Sequence, residues 1–444
     1  MSKDPSVQEN IPPSTQVSTP ARPSSNLRVL MLTAFVLALG WSTFNRFVSP
    51  LLRDSGVGIL WIGLFYSVWS GVGAVAAPVG GILADTFGRR PVLIAGRSLS
   101  FLGWVVVMVW PSRTGLLLGA AIMGLGWVSG SAVKALIAES ASEGRRASAF
   151  AATGSLDNFA AVLSPLAAGL LSDRLGLRPV LFLMLIPYFT GIIITTRVRE
   201  TLARGPGRQQ AASGEGESTA LGARLQTVSS SAWSTGVRYI TSPEGRGSLV
   251  MSAIWILTGF MMGLTTPLYG LHVLDRYGTG YAGVGSLGAA AALAATAGQV
   301  LGGRLADRFG YSRIMMVSLC CTAPLWLLMP PMPTAGLFTL TVALSNFLGW
   351  VAAPSWEALS AETATRSVRG ATGGIHTGML SIGNAIGGGA LGLLYRPGTA
   401  VPFLVMAVND VVMLVLVITG VRLGLRGFAR QPRDLSEAST QISG

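Results

Sequence analysis

The chain is divided into about a dozen apolar runs, most of them near the roughly 20 residues that carry an α-helix across a bilayer. They fall at 27–52, 60–84, 91–111, 115–138, 147–171 and 179–197, then at 248–271, 283–304, 314–333, 335–357, 371–395 and 401–423. Hydrocarbon offers no water to an exposed backbone N–H or C=O, so each span has to close its hydrogen bonds internally, as a helix. Only 11% of the residues are charged, against roughly 25% in an ordinary soluble domain. An all-α membrane protein with twelve transmembrane helices follows, and a soluble enzyme is excluded. Glycine is frequent, at 57 residues, which suits helices that must approach closely where lipid gives no hydrophobic drive for association.

A net charge of +13 raises the question of nucleic acid, and the positions of the basic residues answer it. With the N-terminus inside and the helices alternating, 23 of the 32 Lys and Arg fall in cytoplasmic segments, 6 in external ones and 3 within the membrane. This bias sets orientation. Basic residues in short loops, with no aromatic interleaving, are the footprint of topology and anionic headgroups, so no nucleic-acid partner is expected. The domain reading is a disordered cytoplasmic tail at 1–26, a six-helix bundle at 27–197, a cytoplasmic linker at 198–247, a second bundle at 248–424 and a tail at 425–444. Gly, Ser, Thr, Arg and Glu dominate the linker, with one interfacial helix expected around Trp233 to Ile240. The adjacent Cys320 and Cys321 show no metal-ligand or disulfide spacing and read as packing residues.

Internal repetition is specific. GGILADTFGRR at 80–90 recurs as GGRLADRFGYS at 302–312, an offset of 222. GWVSGSAVKALIAE at 126–139 recurs as GWVAAPSWEALSAE at 349–362, an offset of 223 with seven of fourteen residues identical. Two segments sharing nearly one spacing mean that six helices are duplicated in parallel. The chain is therefore two homologous six-helix bundles joined by a linker.

These residues resemble the major facilitator superfamily, whose hallmark between helices 2 and 3 is G-x-L-A-D-x-x-G-R-[KR]. The sequence has Gly81, Leu83, Ala84, Asp85, Gly88, Arg89 and Arg90 there, and Gly303, Leu305, Ala306, Asp307, Arg308, Gly310 and Arg313 in the second copy. The resemblance implies a secondary active transporter of alternating access, with a conformational latch at Asp85, Arg89, Arg90, Asp307, Arg308 and Arg313. It also implies that helices 1, 4, 7 and 10 line the pathway. An acid at the end of helix 2 is suited to accept from the free N–H groups of a neighbouring helix N-terminus. Two departures stand out from the drug antiporters of the superfamily. Ala120 occupies the position of a helix 4 arginine, and Ser164, Pro165, Leu166, Ala167, Ala168 and Gly169 keep only the proline and last glycine of G-P-x-x-G-G.

Six charged residues sit inside predicted spans: Arg46, Arg97, Lys134, Asp157, Glu357 and Asp410. Each costs about 2.5–3.5 kcal/mol on insertion scales and so has to face a cavity or a partner. Asp157 is the first candidate for a proton-carrying carboxylate, ahead of Glu357 and Asp410, or alternatively half of a structural ion pair with Arg46 or Lys134. Lys134 and Glu357 occupy equivalent repeat positions with opposite charge, which makes them a candidate gate pair or, alternatively, two residues satisfied within their own bundles. Met123, Trp127, Ser131 and Lys134 step at helical spacing, with Asn346, Trp350, Pro354 and Glu357 as equivalents. The two stripes, with Trp41, Asn45 and Arg46 from helix 1 and Trp255, Met262 and Tyr269 from helix 7, are expected to wall a substrate cavity. Aromatic and Met-rich walls suit an amphipathic solute.

Weaker motifs carry no chemistry. Gly283, Gly285 and Gly288 form G-x-G-x-x-G inside a membrane helix, where packing explains them. Neither lysine follows a glycine, so there is no Walker A, and His272 and His376 lie in no catalytic setting. Neither cofactor nor metal is expected. The expected function is proton-coupled export of amphipathic compounds by a monomer in the cytoplasmic membrane, both termini inside. Ion-coupled uptake of a small polar metabolite, and a transporter-derived sensor or membrane enzyme, are the alternatives.

Overall fold

The structure, a computed structural model, describes residues 25–141, 146–201, 234–365 and 368–428. Most of both tails and residues 202–233 of the linker, including their expected disorder, lie outside the described residues. Among those described there is no strand, and twelve helices are long and apolar enough to cross a membrane. They are α1 (Ser25–Asp54), α2 (Ile59–Phe87), α3 (Arg89–Val109), α4 (Arg113–Ser140), α5 (Arg146–Leu175) and α6 (Leu177–Thr195), then α7 (Arg246–Tyr277), α8 (Gly280–Phe309), α9 (Tyr311–Leu328), α10 (Ala335–Glu362), α11 (Arg369–Leu394) and α12 (Val401–Arg422). A multi-pass membrane protein is the only reading these spans allow. A short helix at 234–240 docks on the second bundle: Tyr239 Oη donates to the Thr363 carbonyl at 3.1 Å, and Gly236 lies against Ala371 and Ile375 of α11.

Most helices run beyond their apolar runs because a first or last turn can be polar and still keep its backbone bonds. A few stop one or two residues short, and α9 stops furthest short, at Leu328 although its run continues to 333. Pro330 and Pro331 follow, and a residue without an N–H cannot extend the ladder. Cys320 and Cys321 are exposed on α9, directed out of the bundle and not into its core. The links after α2 and α8 are single residues, Gly88 at φ 104° and Gly310 at φ 87°, values that a side chain strongly disfavours. The glycine in each hallmark copy is therefore a backbone requirement of a one-residue reversal.

The bundles meet through α2 against α11 and α5 against α8, with α1 touching α7. Small residues set these approaches. A Cβ on Gly63 of α2 would lie 2.6 Å from the Gly388 carbonyl of α11, and one on Gly285 of α8 would lie 2.4 Å from the Pro165 carbonyl of α5. Gly169, the other retained residue of the helix 5 motif, packs on Tyr281, Ala282 and Gly285. All these contacts lie in the half of the molecule opposite the chain ends, here called the far side. The half that carries the chain ends is the termini side.

Candidate functional site

A cavity of about 780 Å³ penetrates the first bundle. Its wall runs from Leu30, Ile137 and Phe150, near the termini side, to Arg46 and Pro165 deep in the protein. Polarity comes from a few groups set among apolar ones, notably Asn45, Arg46, Arg97, Lys134, Asp157 and Asn158, with Trp41 as an aromatic face. The second bundle contributes Ala292 of α8.

Asp157 sits 11 residues into α5, roughly 16 Å along the axis at 1.5 Å per residue. Its side chain is exposed to the cavity and makes no hydrogen bond or ion pair with a described residue. Arg97 of α3 is on the same wall, donating to Thr195 Oγ1 at 2.5 Å. Lys134 lines the cavity nearer its mouth and is exposed. Glu357 is exposed on α10, and in this conformation no ion pair joins it to Lys134.

The helix 4 stripe is not one face. A 3-10 turn at Gly126–Val128 interrupts α4 and resets its phase. Lys134 consequently shares the cavity wall with Ser129, Gly130, Val133 and Ile137, while Met123 is buried against Gly103 of α3 and Trp127 packs over Gly73 of α2. Of the expected cavity residues, Trp41, Asn45 and Arg46 belong to the wall. Met123, Trp127, Trp255, Met262, Tyr269, Asn346 and Trp350 do not. The Trp255 indole donates to Ser360 at 3.3 Å, Tyr269 is buried and stacked on Trp326, and Asn346 donates to the Val342 carbonyl one turn back. Met262 and Trp350 are exposed away from the cavity wall.

Asp410 is likewise placed away from the cavity. It is 2% exposed inside the second bundle and accepts from Thr322 Oγ1 at 2.6 Å and from the Trp326 indole at 2.8 Å. Neutral donors on α9 satisfy it, and it is not part of the cavity wall.

The hallmark loop is held by two acids that pattern reading passed over. Arg89 pairs with Glu139 at the end of α4. Glu200 accepts from the backbone N–H groups of Arg89 and Arg90 at 3.3 and 3.0 Å, capping α3, and Arg90 donates to the Thr196 carbonyl at 2.6 Å. Glu139 carried a signal, since it is the last identity of the helix 4 repeat, whereas Glu200 lies in an unpatterned segment. Asp85 is exposed and bonded to no described residue; Asp307 and Arg313 are also exposed, and Arg308 lies over the ring of Phe309 at 5.3 Å.

On the far side the bundles are locked together. Arg53 of α1 pairs with Asp275 of α7, which also accepts from Tyr395 at 2.7 Å. Tyr281 of α8 bonds Asp54, while Asp173 of α5 accepts from the N–H groups of Tyr281 and Ala282 at 2.7 and 3.0 Å, capping α8. The cavity is thus closed on the far side, while its wall extends to Leu30, Ile137 and Phe150 toward the termini side.

Residues 30–256 and 251–437 both match the profile of the Major Facilitator Superfamily. The chain belongs to that superfamily, a family of transporters and not of enzymes. Among its relatives, multidrug resistance protein MdtG of Yersinia enterocolitica is 31% identical over 188 residues, 40% of this chain and 44% of the relative. The chain thus spans less than half the length of such relatives. Tetracycline resistance protein, class G, of Vibrio anguillarum is 22% identical over 73% of this chain and 78% of the relative. Solved superfamily structures share the fold. Human organic anion transporter MFSD10 superposes with a TM-score of 0.61 at 17% identity, covering 88% of this chain and 98% of that one. A POT family transporter in complex with 5-aminolevulinic acid gives 0.69 at 12% identity, covering 89% and 96%.

Proposed function

We propose that this superfamily member exports amphipathic organic compounds across the cytoplasmic membrane by alternating access, in exchange for protons taken up at Asp157. The observation that carries the reading is a cavity of a few polar groups among apolar ones, closed on the far side by cross-bundle bonds and extending toward the termini side, with a carboxylate on its wall that has no hydrogen-bond or ion-pair partner among the described residues. A carboxylate that reaches water through only one opening at a time is suited to load on one side and unload on the other. The resistance proteins among the relatives, MdtG and the class G tetracycline protein, favour export of foreign compounds. Arg89, Arg90 and Asp85 would serve the latch, with Asp307, Arg308 and Arg313 as its second copy, and Lys134 with Glu357 the gate.

The excess of Lys and Arg on the termini side supports a cytoplasmic placement of that side. Cysteines placed at Ser112 and Thr279 are expected to label from outside intact cells, and one at Ser213 only after permeabilisation. Labelling of Ser213 from outside would reverse the orientation. Transport is tested in proteoliposomes with a panel of amphipathic dyes. Exchange predicts that a dye concentrates in the lumen only when the lumen is the more acidic side. Concentration only with the opposite gradient would indicate symport, and no movement in either would reject the transporter reading.

A further inference from the structure

We infer that Arg46 anchors an anion subsite at the floor of the cavity, fitted to the carboxylate of an amphipathic organic acid. This deepens the transport reading by naming a substrate class, and it rests on that reading for the cavity's purpose. Arg46 lies 21 residues into α1 and eight from its far end, so its guanidinium stands well inside the bilayer. It lines the cavity and makes no hydrogen bond or ion pair with any described residue. The titratable groups around it are the phenols of Tyr66 and Tyr269, and Tyr66 is already bonded to Ser49 at 2.9 Å. Asp157, the one acid on the wall among the described residues, faces Arg97 instead. Three cations therefore share the cavity with a single carboxylate.

A cation held away from bulk water is stable only if something else solvates it. A guanidinium presents its donors as a flat fork, which matches a carboxylate in a bidentate way that neutral or cationic groups cannot. The apolar wall above it, with Leu37, Ala38 and Trp41, is suited to the remainder of such a molecule. Space for the guanidinium comes from the other bundle. A Cβ on Gly288 of α8 would lie 3.0 Å from Arg46 Nε, so the third glycine of the G-x-G-x-x-G run accommodates this side chain, as Gly285 accommodates α5. An anion on Arg46 would thus bind at the seam where α1 meets α8, a place from which occupancy bears on both bundles.

The test is binding to the full chain in nanodiscs, without any gradient, of three ligands of one shape: 1-naphthoate, 1-naphthamide and 1-naphthylmethylammonium. Equilibrium dialysis is expected to show naphthoate retained at least tenfold more tightly than either of the others. Arg46→Gln is expected to erase that preference, and Arg46→Lys, which keeps charge without the fork, to restore part of it. Equal retention of the three, or an unchanged preference in folded Arg46→Gln, overturns the subsite and leaves water as the solvent of Arg46. Should Arg46→Gln fail to fold, the wild-type protein decides. Modification of Arg46 by phenylglyoxal, mapped by peptide mass spectrometry, is expected to slow at least threefold with naphthoate and not with naphthamide; equal rates overturn the proposal. Naphthoate that binds but never crosses a proteoliposome membrane would refute transport and spare the subsite. Dye transport without naphthoate binding would do the reverse.

Discussion

Asp157 and Asp410 are both acids near the middle of a membrane-spanning helix, and the two bundles treat them in opposite ways. In the first bundle the carboxylate stands on a cavity wall with no partner among the described residues. In the second it is buried between a threonine and an indole that both donate to it. A group that exchanges protons needs access to water, whereas a group that braces two helices needs fixed donors, and neither environment serves the other purpose. Duplication has preserved the scaffold, with its one-residue glycine links and paired hallmark loops, while the charged cavity groups are concentrated in one copy. Symmetry of chain therefore does not entail symmetry of chemistry.

The contrast breaks most readily at the two acids themselves. Asp157→Asn is expected to reduce accumulation driven by a pH gradient to the level of empty liposomes, while exchange without a gradient persists. Thr322 and Trp326 both donate to one carboxylate oxygen, so Asp410→Asn keeps an acceptor for them and is expected to retain gradient-driven accumulation. Asp410→Ala leaves the Trp326 indole without its acceptor, whereas Thr322 can still donate to the Leu319 carbonyl, and is expected to lower stability by about 1–3 kcal/mol, read by thermal unfolding in detergent. Coupling that survives in Asp157→Asn and vanishes in folded Asp410→Asn would invert the assignment.

A smaller effect is expected at the hallmark loops. Asp85→Asn alters an acid that is bonded to no described residue here, so its contribution is expected in the closed state, against a helix N-terminus such as that of α11, which packs on α2. Transport is expected to fall severalfold with insertion and thermal stability unchanged. Asp307→Asn is expected to do less, because its loop has Tyr311 and Ser312 where the first copy has Arg89 and Arg90. Equal losses from the two substitutions would show that the latch is symmetric after all, and unchanged transport in Asp85→Asn would remove it from the mechanism.

Length and apolarity made the twelve helices legible, because a bilayer imposes one solution on any run of that size. The duplicated bundles were legible from two offsets that differ by one residue. The cavity wall was legible on α1, where helical phase runs unbroken through Trp41, Asn45 and Arg46. It was not legible on α4, since a 3-10 turn over three residues rotates everything beyond it and no propensity at Gly126–Val128 announces that. Nor does periodicity reveal which way a helix faces when lipid, core and cavity all accept apolar side chains. That is why Met123 and Tyr269 read as wall and are buried in packing. The far-side lock joins residues such as Arg53 and Asp275 that lie 222 positions apart. Only the folded arrangement of helix ends brings them together.

The subtlest way to sharpen the comparison is at the mouth, where the bundles carry opposite charges at equivalent positions. Lys134 and Glu357 are both exposed and have no ion-pair partner among the described residues, as a pair that forms only on closure requires. When the termini side shuts, each loses water and gains the other, so removing one leaves its counterpart charged and partly desolvated. Lys134→Ala and Glu357→Ala are therefore each expected to favour the open state by on the order of 1 kcal/mol, about fivefold in population, since a half-solvated pair is worth little more. Lys134→Glu alone sets two like charges together and is expected to shift the balance further. Combining it with Glu357→Lys restores opposite charge and is expected to recover part of the lost transport. A double-mutant cycle on thiol accessibility at the cavity mouth measures the coupling directly. Additive effects would show that each residue is satisfied within its own bundle, and closure would then have to be attributed to the hallmark loops alone.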